Sequence, residues 1–67
     1  MTVARVTKIT AASSTGFQDA VEGGLSRAAQ TLRGISGLEV ISQKAKVEDG
    51  KITEYRATIE VTFILED

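Results

Sequence analysis

Lys51–Leu65 reads KITEYRATIEVTFIL, and this stretch decides the fold. From Thr53 onward, Tyr55, Ala57, Ile59, Val61, Phe63 and Leu65 alternate with Glu54, Arg56, Thr58, Glu60 and Thr62, the period of a strand with one apolar and one polar face. The apolar face makes a core. The polar face presents Arg56 between Glu54 and Thr58, and the alternation leaves open whether water or a partner meets them.

Immediately upstream, Glu48-Asp49-Gly50-Lys51 carries the Asp-Gly pair that favours a tight hairpin turn, so the preceding strand runs antiparallel to this one. That second strand spans Leu38–Val47 (LEVISQKAKV). Leu38 and Val40 lie on one face, but further on the apolar positions shift to Ala45 and Val47. Such a slip near Ile41 to Lys44 indicates a bulge or a strand whose ends meet different surroundings. Gly34–Gly37 is a short connector. Before it, Phe17–Arg33 reads as a helix with Phe17, Val21, Leu25, Ala28 and Leu32 in one stripe.

Thr15 and Gln18 have capping-box spacing, Asp19 and Arg33 suit the helix dipole, and Gly34 is placed to stop the helix. Gly23 and Gly24 sit in its middle, each costing about 1 kcal/mol relative to Ala. Either another element comes very close there, or the helix is slightly bent and weakened on a solvent face. Thr2–Thr10 (TVARVTKIT) is a β-branched strand in which Val3, Val6 and Ile9 break strict alternation, as a bulge or burial on both faces would explain. Ala11–Gly16 is then the turn into the helix.

The element order limits the topology. A right-handed crossover through the helix makes strands one and two parallel, and the hairpin places strand three between them. The expected fold is α+β, β-α-β-β, one domain over residues 1–67, with a three-stranded antiparallel sheet in order 1-3-2 wrapped on one helix. A 15-residue strand is on the order of 50 Å long, whereas a 17-residue helix is about 25 Å. Part of the apolar face must therefore be covered by something outside the chain.

Composition narrows the function. With 67 residues, eight Lys+Arg, nine Asp+Glu and a net charge of −1, neither a nucleic-acid groove nor an anionic membrane surface has electrostatic support. The absence of Cys, His, Trp and Pro removes disulfides, the usual zinc ligands and an imidazole base. No apolar run approaches the roughly 20 residues that span a bilayer, and MTVARVTKIT lacks a signal-peptide block. A soluble cytoplasmic protein is expected. A domain this small buries only about 60% of its unfolded surface, so assembly from several copies is a natural source of stability. No nucleophile and base pair up, and phosphate-loop and EF-hand patterns are absent, so no catalysis is expected.

Three stretches together resemble a known family. EGGLSRAAQTLRG (Glu22–Gly34), KVEDGKITEYR (Lys46–Arg56) and IEVTFILED (Ile59–Asp67) are similar to the dodecins, small bacterial and archaeal proteins with a β-α-β-β order. The resemblance implies a hollow homo-dodecamer, not an enzyme, that stores FMN or riboflavin between two-fold-related subunits. The family's flavin-stacking Trp falls on Gly37 here, and its flavin-bonding Gln falls on Arg56. In a related group the Trp lies two residues later, at Glu39. No Trp is present in this chain to supply the stack.

Arg56 offers a planar fork to a ring carbonyl or a phosphate; the plainer reading is an ion pair with Glu39 or Glu54 on a solvated face. Tyr55, Phe17 and Phe63 are expected in the core. Besides flavin storage, two other roles fit. Glu39, Glu54 and Glu60 could gather cations at symmetry axes of a structural dodecamer, or a monomer could bind a partner along its exposed sheet edge.

Overall fold

The structure, a computed structural model, describes residues 1–65; Glu66 and Asp67, the end of the IEVTFILED stretch, lie outside the described residues. Strand β1 spans Val3–Ser13, helix α1 Phe17–Ala29, β2 Ile35–Glu48 and β3 Lys51–Leu65. The three strands form one sheet in the order β1-β3-β2, with β3 antiparallel to both neighbours. This is the expected α+β arrangement, and the alternation along β3 explains it. Ala57, Ile59 and Val61 are fully buried under the helix, with Ile9, Val21, Leu32, Ile35 and Leu38 packed around them.

On the helix, the buried line is Ala20, Gly24 and Ala28, one residue away from most of the bulky stripe read from the sequence. The sheet curls close to the helix, so its smallest residues occupy the contact while Val21 and Leu32 flank it. Gly24 and Gly23 differ accordingly. A Cβ at Gly24 would stand 3.2 Å from the Ala11 Cβ and 3.3 Å from Ile59 Cδ1, whereas one at Gly23 would meet nothing within 4 Å. Close approach explains the first glycine, and solvent exposure describes the second.

Several boundaries differ from expectation. The strand β1 continues to Ser13 because Ala11, Ala12 and Ser13 still find partners in Ala57, Arg56 and Tyr55. Its register is unbroken, so Val6 breaks the apolar alternation simply by lying on the outer face opposite Thr62; there is no bulge. The helix ends at Ala29 rather than Arg33. Gln30, Thr31 and Leu32 N–H groups donate to the Arg27 and Ala28 carbonyls (2.9–3.2 Å), a tightening that brings Leu32 onto the core. Gly34 follows at φ +72°, its carbonyl accepting from the Ile64 N–H at 2.9 Å.

The helix N-cap is Gly16 and makes no side-chain cap bond. In place of a Thr15–Gln18 box, Ser13 Oγ accepts the Thr15 N–H (2.9 Å) and the Ser13 hydroxyl donates to Asp19 Oδ2 (2.6 Å). Strand β2 begins at Ile35, so Ser36 and Gly37 belong to it rather than to a connector. Its pairing with β3 shifts register at Ile35/Gly37, Val40/Ser42 and Lys46/Val47, and the second of these falls at Ile41, where the sequence phase slips. The hairpin turn carries positive φ at both Asp49 (51°) and Gly50 (75°), the requirement of a type I′ turn.

The molecule measures 52 × 19 × 13 Å, while 13 helical residues span only about 20 Å. Phe17, at the start of the helix, packs edge-on against Tyr55 with ring centroids 5.0 Å apart, and β1 ends opposite the same residue. Beyond it, the β2–β3 hairpin projects alone. Val47 and Ile52 pair with each other on this arm and are 61% and 50% exposed.

Candidate functional site

The face of the sheet turned away from the helix has no covering element, and the register orders its side chains into rows. Val6, Thr62 and Gly37 form the first; Lys8, Glu60 and Glu39 the second; Thr10, Thr58 and Ser42 the third; Ala12, Arg56 and Lys44 the fourth. Lys46 follows on the hairpin arm opposite Glu54. One end of this face is therefore open and small, its middle acidic with Lys8 at the edge, and its other end cationic. The hydroxyl row between them is joined by a 3.0 Å bond between Thr10 and Thr58 Oγ1.

All three residues singled out in the sequence, Gly37, Glu39 and Arg56, lie on this face. The fold does not bring them together. Gly37 pairs with Thr62 and Glu39 with Glu60, so Arg56 stands six and four β3 residues away, about 20 Å and 14 Å at the rise of a strand. A flat small molecule touching both Gly37 and Arg56 positions must draw them from two copies of the chain. Gly37 is exposed, and a Cβ there would meet nothing within 4 Å, so the position has room for a large side chain.

Of the two partners considered for Arg56, the structure shows Glu54: Arg56 Nε donates to Glu54 Oε1 on the same strand face. Both ends remain accessible to solvent, so the pair contributes under about 1 kcal/mol. Lys46 lies 3.6 Å from Glu48. An open hollow of about 330 Å³ is lined by Lys44, Ala45, Lys46 and Arg56. A second, of about 290 Å³, opens at the far end of the helix between Leu32, Arg33, Phe63 and Leu65.

Lys44 and Lys46 were not singled out in the sequence, although the apolar positions Ala45 and Val47 place both on the opposite face of their strand. A plain two-residue hairpin would set Lys46 opposite Thr53 and Lys44 opposite Tyr55. The register shift beside Val47 inserts one extra β3 residue and moves their partners to Glu54 and Arg56, turning both lysines outward. Thr53, a polar residue in an apolar phase, was the available signal.

Among the described residues no three of His, Cys, Asp or Glu gather where they could hold a metal ion. Glu39 and Glu60 face each other as a pair only, beside Lys8, and Glu54 is occupied by Arg56. No helix is long and apolar enough to cross a membrane among the described residues.

A short helix half-wrapped by a longer sheet, with one sheet face bare and polar, defines a small open binding scaffold. The sequence profile of the dodecin family matches residues 3–66, nearly the whole chain, and the chain belongs to that family. The fold agrees closely with solved dodecins. That of Streptomyces coelicolor is 32% identical over 98% of this chain and 94% of its own, with a TM-score of 0.92. An arginine-to-alanine variant of the T. thermophilus dodecin is 28% identical over the full length of both chains, with a TM-score of 0.94. A Mycobacterium tuberculosis protein described as a calcium-chelating calcium dodecin with a novel calcium-binding site is 32% identical over 96% of this chain and 91% of its own, with a TM-score of 0.81. A search of curated proteins returned no significant match.

Proposed function

We propose that this chain is the subunit of a hollow homo-dodecamer that holds a small ligand between the outer sheet faces of paired copies, in the cytoplasm and without catalysis. The observation that carries the reading is the bare hairpin arm. Val47 and Ile52 stand on the helix side of the sheet beyond the end of the helix, exposed in the single chain, and copies of the same chain are the cover the family provides. The roughly 20 Å between Gly37 and Arg56 supports a ligand site shared by two copies rather than built in one.

Flavin, as riboflavin or FMN, is the ligand class the family suggests. In this chain the ring would lie against Gly37 and Glu39 with Arg56 at its polar edge, without an indole to stack on. The fit is incomplete, so retention of flavin should be weak. A second reading is a cation-binding dodecamer without flavin. It is favoured by the Glu39–Glu60 pair facing the open side and by the calcium dodecin among the structural relatives. Because one chain supplies only a pair of carboxylates there, such a site would lie where several copies meet.

Light scattering and a flavin titration test these readings together. A particle near 85 kDa, twelve chains of about 7.1 kDa, supports the assembly; a mass of one chain refutes it. Quenching of riboflavin or FMN fluorescence at micromolar protein supports the flavin site. A dodecamer that quenches neither flavin but binds calcium in a dialysis experiment moves the assignment to the cation reading.

A further inference from the structure

The two ends of the molecule carry uncovered apolar surface on the same side of the sheet. At one end stand Val47 and Ile52 on the hairpin arm. At the other, Leu32, Phe63 and Leu65 line the open hollow of about 290 Å³, and Val3, paired with Leu65 across β1 and β3, is exposed beside it. Ile52 and Leu65 lie at opposite ends of β3, about 40 Å apart at the rise of a strand. No chain can therefore lay its own arm in its own hollow.

Charge distinguishes the two ends as well. Arg33 lines the hollow and Arg5 stands opposite Phe63 at its margin; neither makes an ion pair among the described residues. The arm's turn carries Glu48 and Asp49 side by side; Glu48 lies near Lys46, while Asp49 has no ion pair among the described residues. The arm thus offers aliphatic side chains with carboxylates at the tip, and the hollow offers apolar walls with guanidinium groups at the rim. Symmetry points the same way. Paired copies that face each other across their outer sheet faces make a two-fold contact, and such a contact alone stops at two chains. A larger closed particle needs a contact of another kind, and a head-to-tail contact generates a ring when it closes.

We propose that the arm of one chain seats Val47 and Ile52 in the Leu32, Phe63 and Leu65 hollow of the next copy, with the Glu48-Asp49 turn against Arg33. This rests on the assembly proposed above and adds the contact that carries it beyond pairs. The chain has no cysteine, so introduced thiols report contacts without background. Lys51→Cys puts a thiol beside the arm's apolar pair, and Thr31→Cys puts one at the hollow, both clear of the apolar contact itself. Treated with a short bismaleimide, the protein carrying both substitutions should give covalent products of more than two chains on a denaturing gel. Each single variant should remain as single chains. Arg33→Glu sets like charges against the turn, so the light-scattering mass should fall at low salt and recover as salt screens the repulsion.

A particle of wild-type mass in which the double variant does not crosslink overturns the contact and leaves the assembly standing. Dimers formed by Lys51→Cys alone overturn it too, because they mean that arms meet arms. A mass unmoved by Arg33→Glu at low salt overturns the charge match that selects this hollow. A wild-type mass of one chain refutes the assembly itself, and the contact with it.

Discussion

If the outer face holds a flavin as proposed, replacing Gly37 by Trp should tighten that binding strongly. The substitution costs the fold little: Gly37 lies within β2 on the outer face, and a Cβ there meets nothing within 4 Å. Glycine weakens a strand interior, and an aromatic residue suits one, so the sheet should gain slightly. An indole exposes 150–250 Å² of buriable surface. If about 100 Å² of it meets a flavin ring, area alone contributes about 2.5 kcal/mol, and aromatic stacking adds about 0.5–1.5 kcal/mol. Together these amount to about 3–4 kcal/mol, or a Kd lowered by roughly 100- to 1,000-fold.

The assay is a fluorescence titration of riboflavin and FMN with wild-type and Gly37→Trp protein, at equal particle mass checked by light scattering. Glu39→Trp serves as the parallel test, since it places the indole two residues along the same face and removes a carboxylate facing Glu60. One of the two variants should tighten binding. If both assemble normally and neither gains affinity, the missing indole is not what weakens the site, and the reasoning that assigns Gly37 and Glu39 to a ring platform is refuted.

The two glycines of the helix should respond in opposite directions. Gly23→Ala is expected to raise the melting temperature, since it relieves a helix penalty of about 1 kcal/mol and meets open space. Gly24→Val should lower it through overpacking of about 1–3 kcal/mol against Ala11 and Ile59; equal melting temperatures would contradict the close approach. Ile59→Ala, at a fully buried position, should cost about 2–5 kcal/mol in a denaturant titration. Charging the hairpin arm with Val47→Lys and Ile52→Lys together should shift the light-scattering mass from the assembly towards a single chain, and an unchanged dodecamer would show that the arm is not an interface.

How much of this was legible in the residues depended on whether the signal was local. The alternation from Tyr55 to Phe63 and the Asp49-Gly50 turn specify the central strand and its hairpin from neighbouring residues alone, and both elements stand where the sequence puts them. Element ends were harder to read because tertiary pairing sets them. Ala11 to Ser13 join β1 only because β3 is long enough to offer them partners, and the helix yields its last turn so that Leu32 and Gly34 can reach the sheet.

The outer face was the least legible part. Its composition depends on parity, and each register shift in β2–β3 reverses which residues face outward. The alternation along β3 placed Arg56 on the polar face, but Gly37 and Glu39 were tied to it as ligand positions only by resemblance, and no local pattern reveals that the three are strung along about 20 Å rather than gathered in one pocket. That spacing links the two halves of the functional reading. The extended β3 carries apolar residues past the helix on one side and spreads the proposed binding positions apart on the other. On the proposed function a second copy has two tasks, to cover Val47 and Ile52 and to bring one chain's Arg56 near another's Gly37. A stable isolated chain that still bound a small ligand on its outer face would break that link.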